Sequence, residues 1–299
     1  MKNTLKIAIH SFKGGTGKST ITANLAVMLA QMGKNVGVMD LDLAGPGLHV
    51  LLGIHNEDIK NTLNDLFMGN CLPLETVMDL SNKLLAQQGN TPERDNFEAS
   101  YELNSKSTVQ DRIKPIGKLV FIPASFKAQD MVRVLTKGYE VRLFREAIRQ
   151  ISEGNDLDYL FIDTHPGIEE STLLAIGVCD LLLLVSRIDS QDLFGTGVIL
   201  EVAKALNRPK ILVTNMVPPG SDEEKLRERL KIMFEINPLA IIPFYTEILK
   251  TLSSEVFVYS RPEHEFTKRI DPLTSKLLEI SEKVNVDGFK CLATLNEKA

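Results

Sequence analysis

The octapeptide Lys13-Gly14-Gly15-Thr16-Gly17-Lys18-Ser19-Thr20 is suited to holding an anion. Glycine has no Cβ, so Gly14, Gly15 and Gly17 let backbone N–H groups curl round a phosphate. The helix that follows presents its positive dipole end to the same point. Lys18 carries a mobile positive charge for β- and γ-phosphates, and the Ser19 hydroxyl is a hard oxygen donor for Mg²⁺. Two carboxylate motifs lie downstream. Met39-Asp40-Leu41-Asp42 places two acids two residues apart, so an extended backbone turns both the same way. Tyr159-Leu160-Phe161-Ile162-Asp163 is an apolar run that ends in a third acid, a pattern able to hold Mg²⁺ through water.

The surrounding elements must bring these groups together. Short apolar runs recur at Leu5–His10, Val36–Asp40, Lys118–Ile122, Tyr159–Asp163, Leu181–Ser186, Lys210–Thr214 and Ala240–Ile242. They are rich in Val, Ile and Leu and do not alternate, which predicts strands covered on both faces of a parallel sheet. Helical patterns lie between them at Lys18–Met32, Asp130–Ile151, Glu169–Cys179, Asp189–Leu206 and Ser221–Phe234. Gly33 reads as the stop of the first helix, and Ser221 with Glu224 has capping-box spacing. The predicted fold is α/β: a doubly wound, mostly parallel twisted sheet with helices on both faces. One domain is expected over residues 1–285, followed by a tail over 286–299. Gln87–Lys114 is polar and poor in large apolar residues, and reads as an insertion. In such a sheet, ligands bind beyond the carboxyl ends of the strands, where all the acids above fall.

Lys13-Gly14-Gly15-Thr16-Gly17-Lys18-Ser19-Thr20 resembles the deviant Walker A motif of the MinD/ParA group of P-loop ATPases. Phe12 stands where the ordinary P-loop has its first glycine, and Lys13 is the additional early lysine of that group. The resemblance implies ATP or ADP with Mg²⁺ as ligands and ATP hydrolysis as the activity. It implies that Lys13 reaches across an ATP-sandwiched homodimer to the partner's nucleotide. It also implies that Asp42 orients the attacking water, and that Asp40 and Asp163 support Mg²⁺ with Ser19. Thr164-His165-Pro166-Gly167-Ile168-Glu169 resembles the group's switch II. The group usually has a small residue or proline where His165 stands, and a tolerated, exposed substitution is expected there. Val213-Thr214-Asn215-Met216-Val217-Pro218 resembles the strand end whose Asn reads adenine, a role Asn215 suits by donating and accepting. Ile241-Ile242-Pro243-Phe244 resembles a turn near the base. The resemblance runs from about Leu5 to Lys283, interrupted by Gln87–Lys114.

Composition narrows the partners. The 299 residues carry 34 Lys+Arg against 39 Asp+Glu, a formal charge of −5, which speaks against a surface coated for nucleic acid. Lys225, Arg227, Arg229 and Lys231 are interleaved with Asp222, Glu223, Glu224 and Glu228, the pattern of a solvated helix. Lys268, Arg269 and Lys276 form a sparser basic group. Phe289, Leu292 and Leu295 make a partial stripe in the tail, with fewer basic residues than a membrane anchor uses. An activating or cargo protein is the expected partner beside the homodimer, with a membrane surface or DNA as less supported alternatives. Cys71, Cys179 and Cys291 are far apart and include no CxxC, so reduced thiols and no iron–sulfur cluster are expected. No apolar run reaches membrane-spanning length and no signal peptide is evident, so a cytoplasmic location is expected. A nucleotide-dependent adaptor or scaffold with negligible turnover is the alternative function.

Overall fold

The computed structural model describes residues 2–83, 116–138 and 140–295. The polar insertion expected at 87–114 lies outside the described residues. Eight strands form one sheet: β1 (Leu5–His10), β2 (Val36–Leu41), β3 (Met78–Asp79), β4 (Leu119–Ile122), β5 (Tyr159–Thr164), β6 (Leu181–Ser186), β7 (Lys210–Val217) and β8 (Ala240–Pro243). Their spatial order is β3-β4-β2-β5-β1-β6-β7-β8. All pairs are parallel except β3 with β4, a two-residue antiparallel edge that sequence patterning missed because it is too short to carry a period.

The helices are α1 (Lys18–Gln31), α2 (Leu48–Leu51), α3 (Leu63–Phe67), α4 (Ala128–Lys137), α5 (Val141–Gly154), α6 (Glu170–Val178), α7 (Ser190–Ala205), α8 (Glu223–Phe234), α9 (Thr246–Lys250), α10 (Phe257–Ser260) and α11 (Glu265–Asp287). Each central strand feeds both faces of the sheet. Leu181, Leu183 and Val185 of β6 pack into one core with α1, α10 and α11. Leu182 and Leu184 pack into the other with α3, α5, α6 and α7. Burying each such side chain stabilises by roughly 1.5–3 kcal/mol, which is why these strands read as unbroken apolar runs.

Three expectations need correction. The helix expected over Asp130–Ile151 is two helices, because Gly138 caps α4 at φ 68° and α5 starts afresh at Val141. The cap of α8 is Asp222, which accepts from the Lys225 N–H at 3.1 Å. Ser221 instead donates to the Pro218 carbonyl, so the capping box with Glu224 does not form. The expected boundary between residues 285 and 286 falls inside α11, which continues to Asp287. Beyond it a 3-10 segment, Phe289–Leu295, lies on the domain, with Leu292 buried in the α11-side core and the Lys6 ammonium 4.9 Å from the Phe289 ring centre.

Candidate nucleotide site

The glycine-rich loop joins β1 to α1. Gly17 caps α1 in the left-handed region at φ 85°, provides no side chain to the first-turn N–H groups, and is followed by no acidic residue in that turn. The positive end of α1 is therefore left to an external anion. Gly15 also has a left-handed φ of 72°, with open space where a Cβ would stand. This cradle and the oxygen donors beside it fit a nucleotide phosphate with Mg²⁺.

Asp163, at the end of β5, is the hub of the site. It is 1% exposed. The Lys18 ammonium lies 2.9 Å from its Oδ1. Ser19 donates to Oδ2 at 2.6 Å, and the Thr22 hydroxyl lies 3.0 Å from Oδ1. Thr22 escaped the sequence reading, although its spacing from Lys18 and Ser19 puts all three on neighbouring turns of one helix face.

β2 and β5 are neighbours in a register that sets Asp40 beside Asp163. Asp40 is buried, and both its oxygens are used: Oδ1 accepts from the Asp42 N–H, and Oδ2 from the N–H groups of Gly47 and Leu48. These bonds fold the chain after β2 into a tight loop. Burial, and then the charge of Asp163, push the Asp40 carboxyl up to about 7.

Asp42 lies one residue beyond β2. Its Oδ1 accepts from the Gly45 N–H at 2.9 Å and from His165 Nδ1 at 2.7 Å. His165 is therefore half-buried against Asp42, where an exposed side chain was expected. Thr164, just before it, accepts from His10 Nδ1 and donates to the Ile9 carbonyl. The Pro166 ring stands 3.8 Å from where a Gly14 Cβ would be, and the Gly167 N–H donates to the Ser11 carbonyl at 3.2 Å. The 164–169 segment thus lies directly on the glycine-rich loop.

Lys13 points to the other side of the loop. Its ammonium pairs with Asp189 Oδ1 at 2.8 Å, both side chains being about one-third exposed. Asp189 also caps α7 through the Asp192 N–H, and the bond from Lys13 holds its carboxyl below the usual carboxylate range. Phe12 packs on α7 as well: a Cβ on Gly195 would fall 1.9 Å from its ring. Phe12 therefore anchors the loop where the ordinary motif has glycine.

A cavity of about 340 Å³ adjoins the loop, lined by Gly17, Thr20, Asn215, Met216, Pro243 and Tyr245 among others. It brings Asn215, expected to read the base, and Pro243, expected in a turn near it, beside the glycine-rich loop. A register shift in β7 between Thr214 and Val217, with Met216 at φ 54°, lets Asn215 reach inward. Its amide donates to the Thr16 carbonyl at 2.8 Å. A Cβ on Gly17 would meet that amide at 2.4 Å, so only glycine permits this contact. The basic residues expected as alternative contacts are largely internally paired. Lys225 pairs with Asp222, Arg269 with Glu223, Lys268 with Glu265 and Lys276 with Glu279.

Residues 2–92 match the ParA family model described as NUBPL iron-transfer P-loop NTPase. An ATP-binding protein of Methanocaldococcus jannaschii is 28% identical over 278 residues, covering 92% of this chain and 88% of that protein. An iron–sulfur cluster carrier protein of the same organism is 30% identical over 216 residues, covering 71% of this chain and 59% of that protein. Among solved structures, the septum site-determining protein MinD of Pyrococcus horikoshii, complexed with Mg-ADP, superposes with a TM-score of 0.69 at 22% identity, covering 92% of this chain and 96% of that one. The expectation that no iron–sulfur cluster is involved is overturned by the iron-transfer family match and by the carrier relative. Its basis was the missing CxxC, an argument from one ligand pattern alone. The fold, the loop and the matched segment agree: residues 2–92 are similar to the ParA family of P-loop NTPases, and the chain has the fold of the MinD structure.

Proposed function

We propose that this protein is a Mg²⁺-dependent ATPase that works as an ATP-switched homodimer to position or partition a cellular cargo. The observation that carries the reading is the convergence of Lys18, Ser19 and Thr22 on the buried Asp163 at the mouth of the Asn215–Pro243 cavity. Mg²⁺, when bound, would neutralise charge on the phosphates. Ser19 and Asp163 are its proposed holders. Asp40 supports them from below by fixing the loop after β2. Gly14, Gly15, Thr16, Gly17 and Thr20 shape the cradle, and Lys18 leaves Asp163 to meet the β- and γ-phosphates. Asp42 orients the water, and Lys13 leaves Asp189 to reach the partner's nucleotide. This is positioning and charge stabilisation without a covalent intermediate.

Phosphate release by the full chain with MgATP tests the reading. Lys18→Ala should lose turnover by about 100-fold or more, as removal of a preorganised charge does. Wild-type nucleotide binding with no turnover would contradict hydrolysis. It would favour a second reading, a nucleotide-dependent carrier or scaffold, which the carrier relative supports. Reconstitution of the full chain with iron and sulfide, followed by its visible absorption, tests that reading directly.

A further inference from the structure

We propose that His165 is a positioning residue for hydrolysis: it holds the Asp42 carboxylate and ties the loop after β2 to the loop after β5. This role rests on the hydrolase reading above and adds a residue to it. The β2–β5 register pairs Asp40 with Asp163 and Leu41 with Thr164, and Asp42 and His165 are the next residues beyond the paired ends. Past the ladder no backbone bond among the described residues joins the two segments, and the link is the side-chain contact at 2.7 Å. A carboxylate oxygen only accepts, so His165 Nδ1 is the donor. Asp42 Oδ1 takes this bond together with the Gly45 N–H, while its Oδ2 has no protein hydrogen bond among the described residues. One oxygen is thus clamped from two sides and the other is kept as the open acceptor for water.

His165 is itself held. Thr172 of α6 donates to its carbonyl at 3.2 Å, and Nε2 lies 3.7 Å from Glu169 Oε1. The ring therefore spans from one nucleotide-facing loop to the other on a braced backbone. A movement of either loop is passed to Asp42. Each substitution should act on the rate of the bound complex and leave nucleotide affinity alone, because neither His165 nor Asp42 lines the base cavity.

The test is single-turnover hydrolysis with MgATP, with the ATP Kd measured in parallel on the full chain. His165→Ala should lower the rate by about tenfold, the size of loss that a slightly misplaced group causes, with Kd unchanged within about twofold. His165→Asn puts an N–H close to the place of Nδ1 and should restore the rate to within about threefold. His165→Gln puts its N–H farther out and should not. In an Asp42→Ala background, His165→Ala should have no further effect. A wild-type rate in His165→Ala, equal rates for the Asn and Gln variants, or additive losses in the double variant would each overturn the role. Absence of wild-type turnover would overturn the hydrolase reading as well, which separates the two failures.

Discussion

Lys13 shows how little a side chain must give up to change partners. Its bond to Asp189 is a partly exposed ion pair, a class worth about 0–1 kcal/mol. Lys18 is held differently, 7% exposed against a carboxylate that is 1% exposed, where a lone charge would be costly to leave behind. The two lysines are therefore separable by mutation. Lys13→Ala should keep ATP affinity within about threefold and lower turnover by at least about tenfold. A titration of fluorescent nucleotide beside a phosphate-release assay checks this. An equal, severe loss of binding would remove Lys13 from any role across a dimer.

His10 gives a pH prediction at the same site. Burial first, and then the charges of Lys18 and His165, push its imidazole down to about 3. The unfolded chain would take up that proton near the ordinary histidine value of about 6.5. A depressed group contributes stability that is full above its unfolded value and is lost as pH falls toward its folded value. Nucleotide-free protein should therefore lose about 2 kcal/mol from this residue between pH 6.5 and pH 5. Denaturant unfolding at both values, beside His10→Asn, measures it. The variant can keep a donor to Thr164 and should show a flatter acid side.

Among the elements beyond α1, α7 is joined to the glycine-rich loop at two points. Asp189 at its start holds Lys13, and Gly195 one turn on accommodates the Phe12 ring. Gly195→Ala should force that ring aside, costing about 1–3 kcal/mol as overpacking does and weakening nucleotide binding about tenfold. Gly197→Ala is the control, since its nearest neighbour would be Phe234 at an ordinary 3.6 Å. Thermal melts and nucleotide titration of both variants decide it; equal effects would show that the Phe12 contact is not the reason. The elements the sequence revealed best were the central strands, because burial on both faces leaves a run without polar interruptions. Those it hid were short or conditional. β3 is two residues long, the α4–α5 break depends on Gly138, and the turn that presents Asn215 depends on a register shift in β7. The loop and its three acids were legible because each residue type is tied to its local backbone. The His165–Asp42 contact was not, because it depends on which strands are neighbours, and strand order cannot be read from a run of Val and Ile.

For the whole molecule, the sheet order gathers the glycine-rich loop and the three acids at the carboxyl ends of adjacent central strands. β2, β5 and β1 are adjacent, so the Asp40–Asp42 loop, Asp163 and the glycine-rich loop form one surface. Lys13 and Asp42 stand on it with part of their side chains exposed, which suits a face that closes on a second copy. No helix among the described residues is long and apolar enough to cross a membrane. Phe289 and Leu292 of the tail stripe pack on the domain, so membrane binding through that stripe would first have to release them.

The most direct measurement is the solution mass of Asp42→Ala by light scattering with saturating MgATP and, separately, MgADP. On the proposed role of Asp42 in orienting water, its removal should leave ATP bound and uncleaved. The 33.3 kDa chain should then run at about twice its mass with ATP and at its own mass with ADP. A single-chain mass in both nucleotides, with binding intact, would contradict an ATP-switched dimer.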